Sequence, residues 1–140
     1  MTPQEIALVR TSFTKLGPIA EQISALFYAR LFELDPALRL LFHGDMRAQG
    51  RKLMSMIGTA VSLLDEPDTL LPMLRQLSSR HVVYGVRHEH YTVVGEVLLW
   101  TLQKGLGPEF TPEVAGAWKK TYTTLADTMR GAVTFHQAVA

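Results

Sequence analysis

Residues 74–86 read Leu74-Arg75-Gln76-Leu77-Ser78-Ser79-Arg80-His81-Val82-Val83-Tyr84-Gly85-Val86, "LRQLSSRHVVYGV", and two secondary structures compete for them. The β-branched Val82, Val83 and Val86 argue for a strand. Leu74, Leu77 and His81 stand three and four apart, the spacing of one helix face. The β-branched run is short and has no partner strand nearby, while Pro67 and Pro72 supply a helix start upstream. Helix is the better reading, with Gly85 as its stop. It makes the chain all-α, because no other run shows sustained period-two alternation, and it places an imidazole on the apolar stripe of a helix.

The flanking segments agree. Thr2-Pro3-Gln4-Glu5 is a capping box with proline at the first helical position. Ile6, Val9, Phe13 and Leu16 follow at helical spacing until Gly17-Pro18. A second helix runs from about Pro18 to Leu34 on an inner face of Ile19, Ile23, Leu26, Phe27 and Leu31. Asp35-Pro36 repeats the cap-plus-proline device and opens a short helical turn, which His43-Gly44-Asp45 breaks. Helical patterns then cover about Met46 to Asp65, the segment begun by Pro67 and Pro72, and roughly Glu89 to Lys104. Gly105-Leu106-Gly107-Pro108 ends the last of these. Thr111-Pro112-Glu113 caps a final helix carrying Val114, Trp118, Leu125, Met129 and Val133.

At 140 residues, with no repeat, linker or low-complexity tract, the chain reads as one domain over 1–140. Apolar residues are 47% and charged ones 19%, a globular rather than a disordered composition. A net charge of +1 gives no field to attract nucleic acid or an anionic membrane. The longest apolar run, Tyr91 to Leu102, is broken by Glu96 and is too short to span a bilayer. The absence of cysteine excludes disulfides, thiolate zinc and covalent haem attachment through CxxCH, and is consistent with the cytoplasm.

The histidines stand at 43, 81, 88, 90 and 136. His88 and His90 are two apart and do not face each other on a helix. His81 and His88 are seven apart, roughly 10 Å along a helix axis, too far to share one small ion. No HExxH, GxSxG or P-loop occurs, and Gly105-Leu106-Gly107 has Phe110 where a dinucleotide fingerprint needs its third glycine. His81 is different. A neutral imidazole on this face can donate to the Leu77 carbonyl one turn earlier, which leaves the other nitrogen's lone pair aimed into apolar space. It is either a structural histidine or a ligand for the metal of a large, flat, apolar cofactor.

Several motifs then occur in a particular order: "FYARLFELDPALRLLF" (Phe27 to Phe42), "AQGRKLM" (48–54), "RHVVYGV" (80–86), "HYTVVGEVLL" (90–99), and Trp118 with Tyr122. The ordered set spans about Glu5 to Val133. It resembles the bacterial single-domain globins, which are similar to the haem domain of flavohaemoglobins. The resemblance implies a helical sandwich around a noncovalent haem b, iron protoporphyrin IX. It implies His81 as the iron ligand, Phe42 stacked on the porphyrin, and Tyr28, Gln49 and Leu53 on the side where gases bind. It assigns Tyr91 to positioning the histidine, and Val86 and Val94, with Leu77, to the pocket wall. Arg51, Lys52 and Arg80 become partners for the haem carboxylates. One departure stands out: where flavohaemoglobin-type domains commonly carry a glutamate that bonds the iron-ligating histidine, this chain has Val133. That weakens any expectation of O–O cleavage.

The function so implied is reversible binding of O2, CO and NO at a five-coordinate iron, for oxygen transport, storage or sensing. The enzymatic alternative is nitric oxide dioxygenation; with no flavin or nicotinamide module in this chain, it needs a separate reductase. A third possibility, a globin-like domain that has lost its haem, conflicts with the presence of both His81 and Phe42.

Overall fold

In a computed structural model, the backbone is described for residues 1–83, 87 and 89–139, and the side chains for the same residues apart from 78–83 and 130–139. The described chain forms α1 (Pro3–Leu16), α2 (Ala20–Leu34), α3 (Met46–Ser62), α4 (Pro67–Val83), α5 (His90–Leu106) and α6 (Pro112–Val139). Short 3-10 turns occupy Gly17–Ile19, Pro36–Leu41 and Gly107–Glu109, and no strand occurs among the described residues. The contest over residues 74–83 is therefore decided for helix. No helix among the described residues is long and apolar enough to cross a membrane.

The caps explain where the helices begin. Thr2 Oγ1 accepts the Glu5 amide at 3.1 Å, and the Glu5 carboxylate accepts the Thr2 amide at 2.9 Å. Thr111 Oγ1 accepts the Val114 amide at 3.3 Å. Three expectations change. Asp35 makes no side-chain cap; its backbone carbonyl accepts the Leu38 amide at 3.0 Å, because a 3-10 turn closes its own i→i+3 ring. Asp45, read as part of a break, is the N-cap of α3 and accepts the Arg47 amide at 3.0 Å. Pro72 lies inside α4 and does not start it, so the Asp68 carbonyl loses its i+4 donor. At the end of α5 the helix runs through Gly105, and Gly107 with φ +56° turns the chain out.

The most extensive packing is of α4 on α6, of α2 across α3 and α5, and of α1 on α6. Trp118 of α6 is buried among Val9, Leu16, Leu102 and Val114. Its indole N–H donates to Ser12 Oγ at 2.8 Å, and the Ser12 hydroxyl donates onward to the Leu8 carbonyl at 2.8 Å. The polar end of a large side chain is thus satisfied inside the core. Arg10 ties α1 to the end of α3, donating to the Ser62 carbonyl at 3.0 Å and pairing with Asp65 at 2.8 Å. These contacts close one half of the molecule and leave the space between α3, α4, α5 and α6 less completely filled.

Candidate functional site

That space is a cavity of about 130 Å³ that opens to solvent at one edge, and apolar clefts are the usual sites for ligands and cofactors. Leu53 from α3, Leu77 from α4, and Tyr91 and Val94 from α5 all line it. Phe27 and Trp118 also line it, although the sequence offered them as helix-face and motif residues and not as site residues. The walls are almost wholly aliphatic and aromatic. Of their few hydroxyls, that of Thr121 donates to the Ala117 carbonyl and that of Tyr122 to the Tyr91 carbonyl. The second bond joins α6 to the first turn of α5. It works with close packing of the Tyr122 ring on Gly95, where a Cβ would lie 2.5 Å from the ring edge.

Tyr28, Gln49 and Phe42 are not among the residues lining this cavity; they meet beside it. Tyr28, Phe27, Leu31, Leu38 and Val97 form a buried cluster, against which Phe42, Leu53 and Val94 pack. Leu53 and Val94 therefore belong to both groups and mark their boundary. The Tyr28 and Phe42 rings stand edge to face at 5.3 Å. Gln49 Nε2 donates to the Tyr28 hydroxyl oxygen at 3.2 Å. The phenol's oxygen is thus occupied as an acceptor while its own proton has no acceptor among the described residues. Burial pushes the Tyr28 phenol above its ordinary pKa of 10.0, against an opposing pull from Gln49. The group remains a protonated donor at neutral pH.

What brings Tyr28 and Gln49 together is a close helix crossing. A Cβ on Gly50 would lie 2.5 Å from Ser24 Oγ, so α3 meets α2 at a residue without a side chain. Gln49 is the next residue, and Tyr28 lies one turn beyond Ser24. The sequence signal was present: a glycine inside an otherwise regular helix, which marks a close approach.

His81 lies in α4, one turn beyond Leu77 of the cavity wall. Residues four apart share a helix face. Its side chain lies outside the described residues, as do those of Arg80, Val133 and His136, and so do Val86 and His88 entirely. Arg51 and Lys52 line an open groove at the α3–α4 edge of the cavity. His90 stands at the start of α5, its Nδ1 accepting the Arg87 amide at 2.9 Å. Among the described residues no three of His, Asp or Glu gather to hold a metal directly. The walls present carbon almost everywhere, as a large, flat, apolar cofactor carrying its own metal requires, and α4, the helix that carries His81, contributes to them.

The globin family model matches residues 25–129, and the chain belongs to the globin family. It is 34% identical over 134 residues to the flavohemoprotein of Bordetella parapertussis, covering 94% of this chain and 33% of that protein. The chain thus spans about a third of the length of the flavohemoproteins it matches. It is also 34% identical to neuroglobin-1 of Oncorhynchus mykiss, with 92% of this chain and 90% of that protein covered. A solved structure with TM-score 0.87 and 32% identity covers 99% of this chain, and 97% of that chain is matched. That protein is an engineered carbene transferase made from a Rhodothermus marinus protein proposed to be a nitric oxide dioxygenase. The family and these relatives make this chain a haem globin.

Proposed function

We propose that residues 1–140 form one globin domain that holds a noncovalent haem b and binds O2, CO and NO reversibly. The observation that carries this is the apolar cavity walled by Leu53, Leu77, Tyr91 and Val94, with a buried hydroxyl donor on its border. Haem, when bound, supplies one iron with a coordination position left for a diatomic gas. His81 would hold that iron through a neutral imidazole nitrogen, with the Leu77 carbonyl as the acceptor for its N–H. Val86 and Val94 would pack against the ring, Phe42 would stack on the porphyrin, and Tyr91 would position the histidine. Leu53 keeps water off the gas side. Gln49 orients the Tyr28 hydroxyl, whose proton is then free to stabilise negative charge on a bound gas. Arg51, Lys52 and Arg80 offer cations to the haem carboxylates. The absence of cysteine supports a cytoplasmic setting.

The decisive experiment is reconstitution with haem followed by His81→Gly. The native protein should show a strong near-ultraviolet haem band. The variant should hold haem loosely and regain the native visible spectrum with added imidazole. A native spectrum that survives the change untouched removes His81 as the ligand.

A second reading, nitric oxide dioxygenation, is favoured by likeness to the flavohemoproteins and to the Rhodothermus protein. In it, nitric oxide, dioxygen and one electron give nitrate, the electron coming from a separate reductase. Stopped-flow mixing of the oxy form with nitric oxide, with a generic reductase present, separates the two. Repeated turnover supports the enzyme, and a single stoichiometric oxidation supports the carrier or sensor.

A further inference from the structure

Tyr28 faces two ways. On one side it packs in the buried cluster that meets Leu53 and Val94 of the cavity wall. On the other it forms the floor of an open groove between α2 and the start of α3. The groove is walled by Ser24, Ala25, Ala29 and Phe32 of α2 and by Met46 of α3. Ala25 and Ala29 are exposed, so at those two positions nothing larger than a methyl group narrows it. Across the groove the Arg47 guanidinium meets the Glu21 carboxylate at 3.3 Å, and both side chains are largely in solvent. An ion pair so exposed is weak and opens readily. Further along the crossing the helices are pinned, because a Cβ on Gly50 would sit 2.5 Å from Ser24 Oγ. Any parting of α2 from α3 therefore occurs at the Met46–Arg47 end.

We propose that O2, CO and NO reach the gas side through this groove, passing Tyr28 as its ring tilts out of its bond with Gln49. The inference rests on the haem reading above. The groove suits an uncharged diatomic molecule: Ala25, Ala29, Phe32 and Met46 present carbon, and the charges of Glu21 and Arg47 stand at the rim. Such a molecule loses little on leaving water for a surface of this kind. The passage interrupts one hydrogen bond, from Gln49 Nε2 to the Tyr28 oxygen at 3.2 Å. Both groups are neutral, so the bond is of the weaker sort. Tyr28 thus has two duties, holding the gas and admitting it. The other open groove beside the cavity, between α3 and α4, lies where Arg51 and Lys52 would meet the haem carboxylates, so bound haem obstructs it.

The test uses the haem-loaded ferrous protein and CO, whose binding depends least on the Tyr28 hydrogen bond. Ala25→Trp and Ala29→Trp each lay an indole in the groove, and neither residue lines the cavity. Ser55→Trp fills the α3–α4 groove as the comparison. Association is followed after flash photolysis, and dissociation by displacement with NO. A blocked path slows entry and exit by the same factor, because the indole meets neither the free nor the bound gas and leaves their equilibrium alone. At least one α2 variant should show both rates lowered by about threefold or more, with their ratio native. Ser55→Trp should show native rates. Native rates in both α2 variants overturn the proposal, as does slowing in Ser55→Trp alone, which moves the path to the α3–α4 edge. A faster off-rate with a native on-rate also overturns it, since the indole has then only disturbed Tyr28. All of these outcomes leave haem binding standing. A native protein without a near-ultraviolet haem band fails at the outset and ends the haem reading together with this one.

Discussion

Tyr28 carries the most specific chemistry in the chain. Its oxygen is occupied by the Gln49 amide at 3.2 Å, so the phenol acts outward as a donor. A hydrogen bond to a charged acceptor contributes about 1.5–3 kcal/mol. Replacing Tyr28 by Phe should therefore raise the oxygen off-rate by at least about tenfold, measured by stopped-flow displacement of oxygen with CO. The CO off-rate should move less, because that ligand carries less negative charge. An unchanged oxygen off-rate means the hydroxyl never reaches the gas. Burial keeps the phenol's pKa above its ordinary value, so the native off-rate should stay level from pH 6 to pH 9. Loss of the proton, which would abolish the donor, belongs to a higher pH. Tyr28 was readable as a site residue because it stands in the Phe27–Phe42 motif. Its partner Gln49 was readable from the 48–54 motif, whereas the bond between the two residues comes only from the packing of α3 on α2.

Two helix-scale contacts are equally testable. The α2–α3 crossing depends on Gly50, and Gly50→Ala forces a methyl into the space held by Ser24 Oγ. Overpacking of this kind costs about 1–3 kcal/mol. Urea unfolding should show that loss, and the oxygen off-rate should rise as Gln49 is moved from Tyr28. Adding Ser24→Ala should recover part of both; a variant as stable as the native protein means the helices separate freely here. At the start of α1, the Lys120 ammonium 2.6 Å from Glu5, together with the Thr2 amide, holds the Glu5 carboxyl at about 2 instead of 4.5. A depressed carboxyl stabilises the fold above its unfolded value, and the contribution disappears as pH falls through the folded one. Native protein should thus be more stable than Glu5→Gln at pH 6, with the gap closing between pH 4.5 and pH 2. A gap that persists at pH 2 means ionisation of Glu5 is not its source. The Thr2–Glu5 box was legible from four adjacent residues, because both its bonds are local. Lys120 was not, since it lies on the last helix and meets Glu5 only when α6 packs on α1.

For the whole molecule the governing feature is incomplete filling. One half closes around Trp118, while the other keeps a cavity of about 130 Å³ lined from α2, α3, α4, α5 and α6. Haem that occupies this space binds the native state in preference to the unfolded chain. At a free concentration 1,000 times its dissociation constant it adds about 4 kcal/mol of stability. Urea unfolding with and without haem should show that increment, and identical midpoints at saturating haem mean the folded cavity is not its site.

The helical class, the positions of most caps and the apolar faces follow from the sequence itself, because they rest on contacts between residues at most four or so apart. The ordered motifs added the globin family, and with it the expectation that Leu53, Leu77, Tyr91 and Val94 share one pocket. Tertiary packing alone decided that Tyr28 and Phe42 adjoin that pocket without lining it, and that Gly50 draws Gln49 to Tyr28. Each of these is a relation between helices distant in sequence. Its energy comes from shape and charge matched across the interface, which no local window of residues contains.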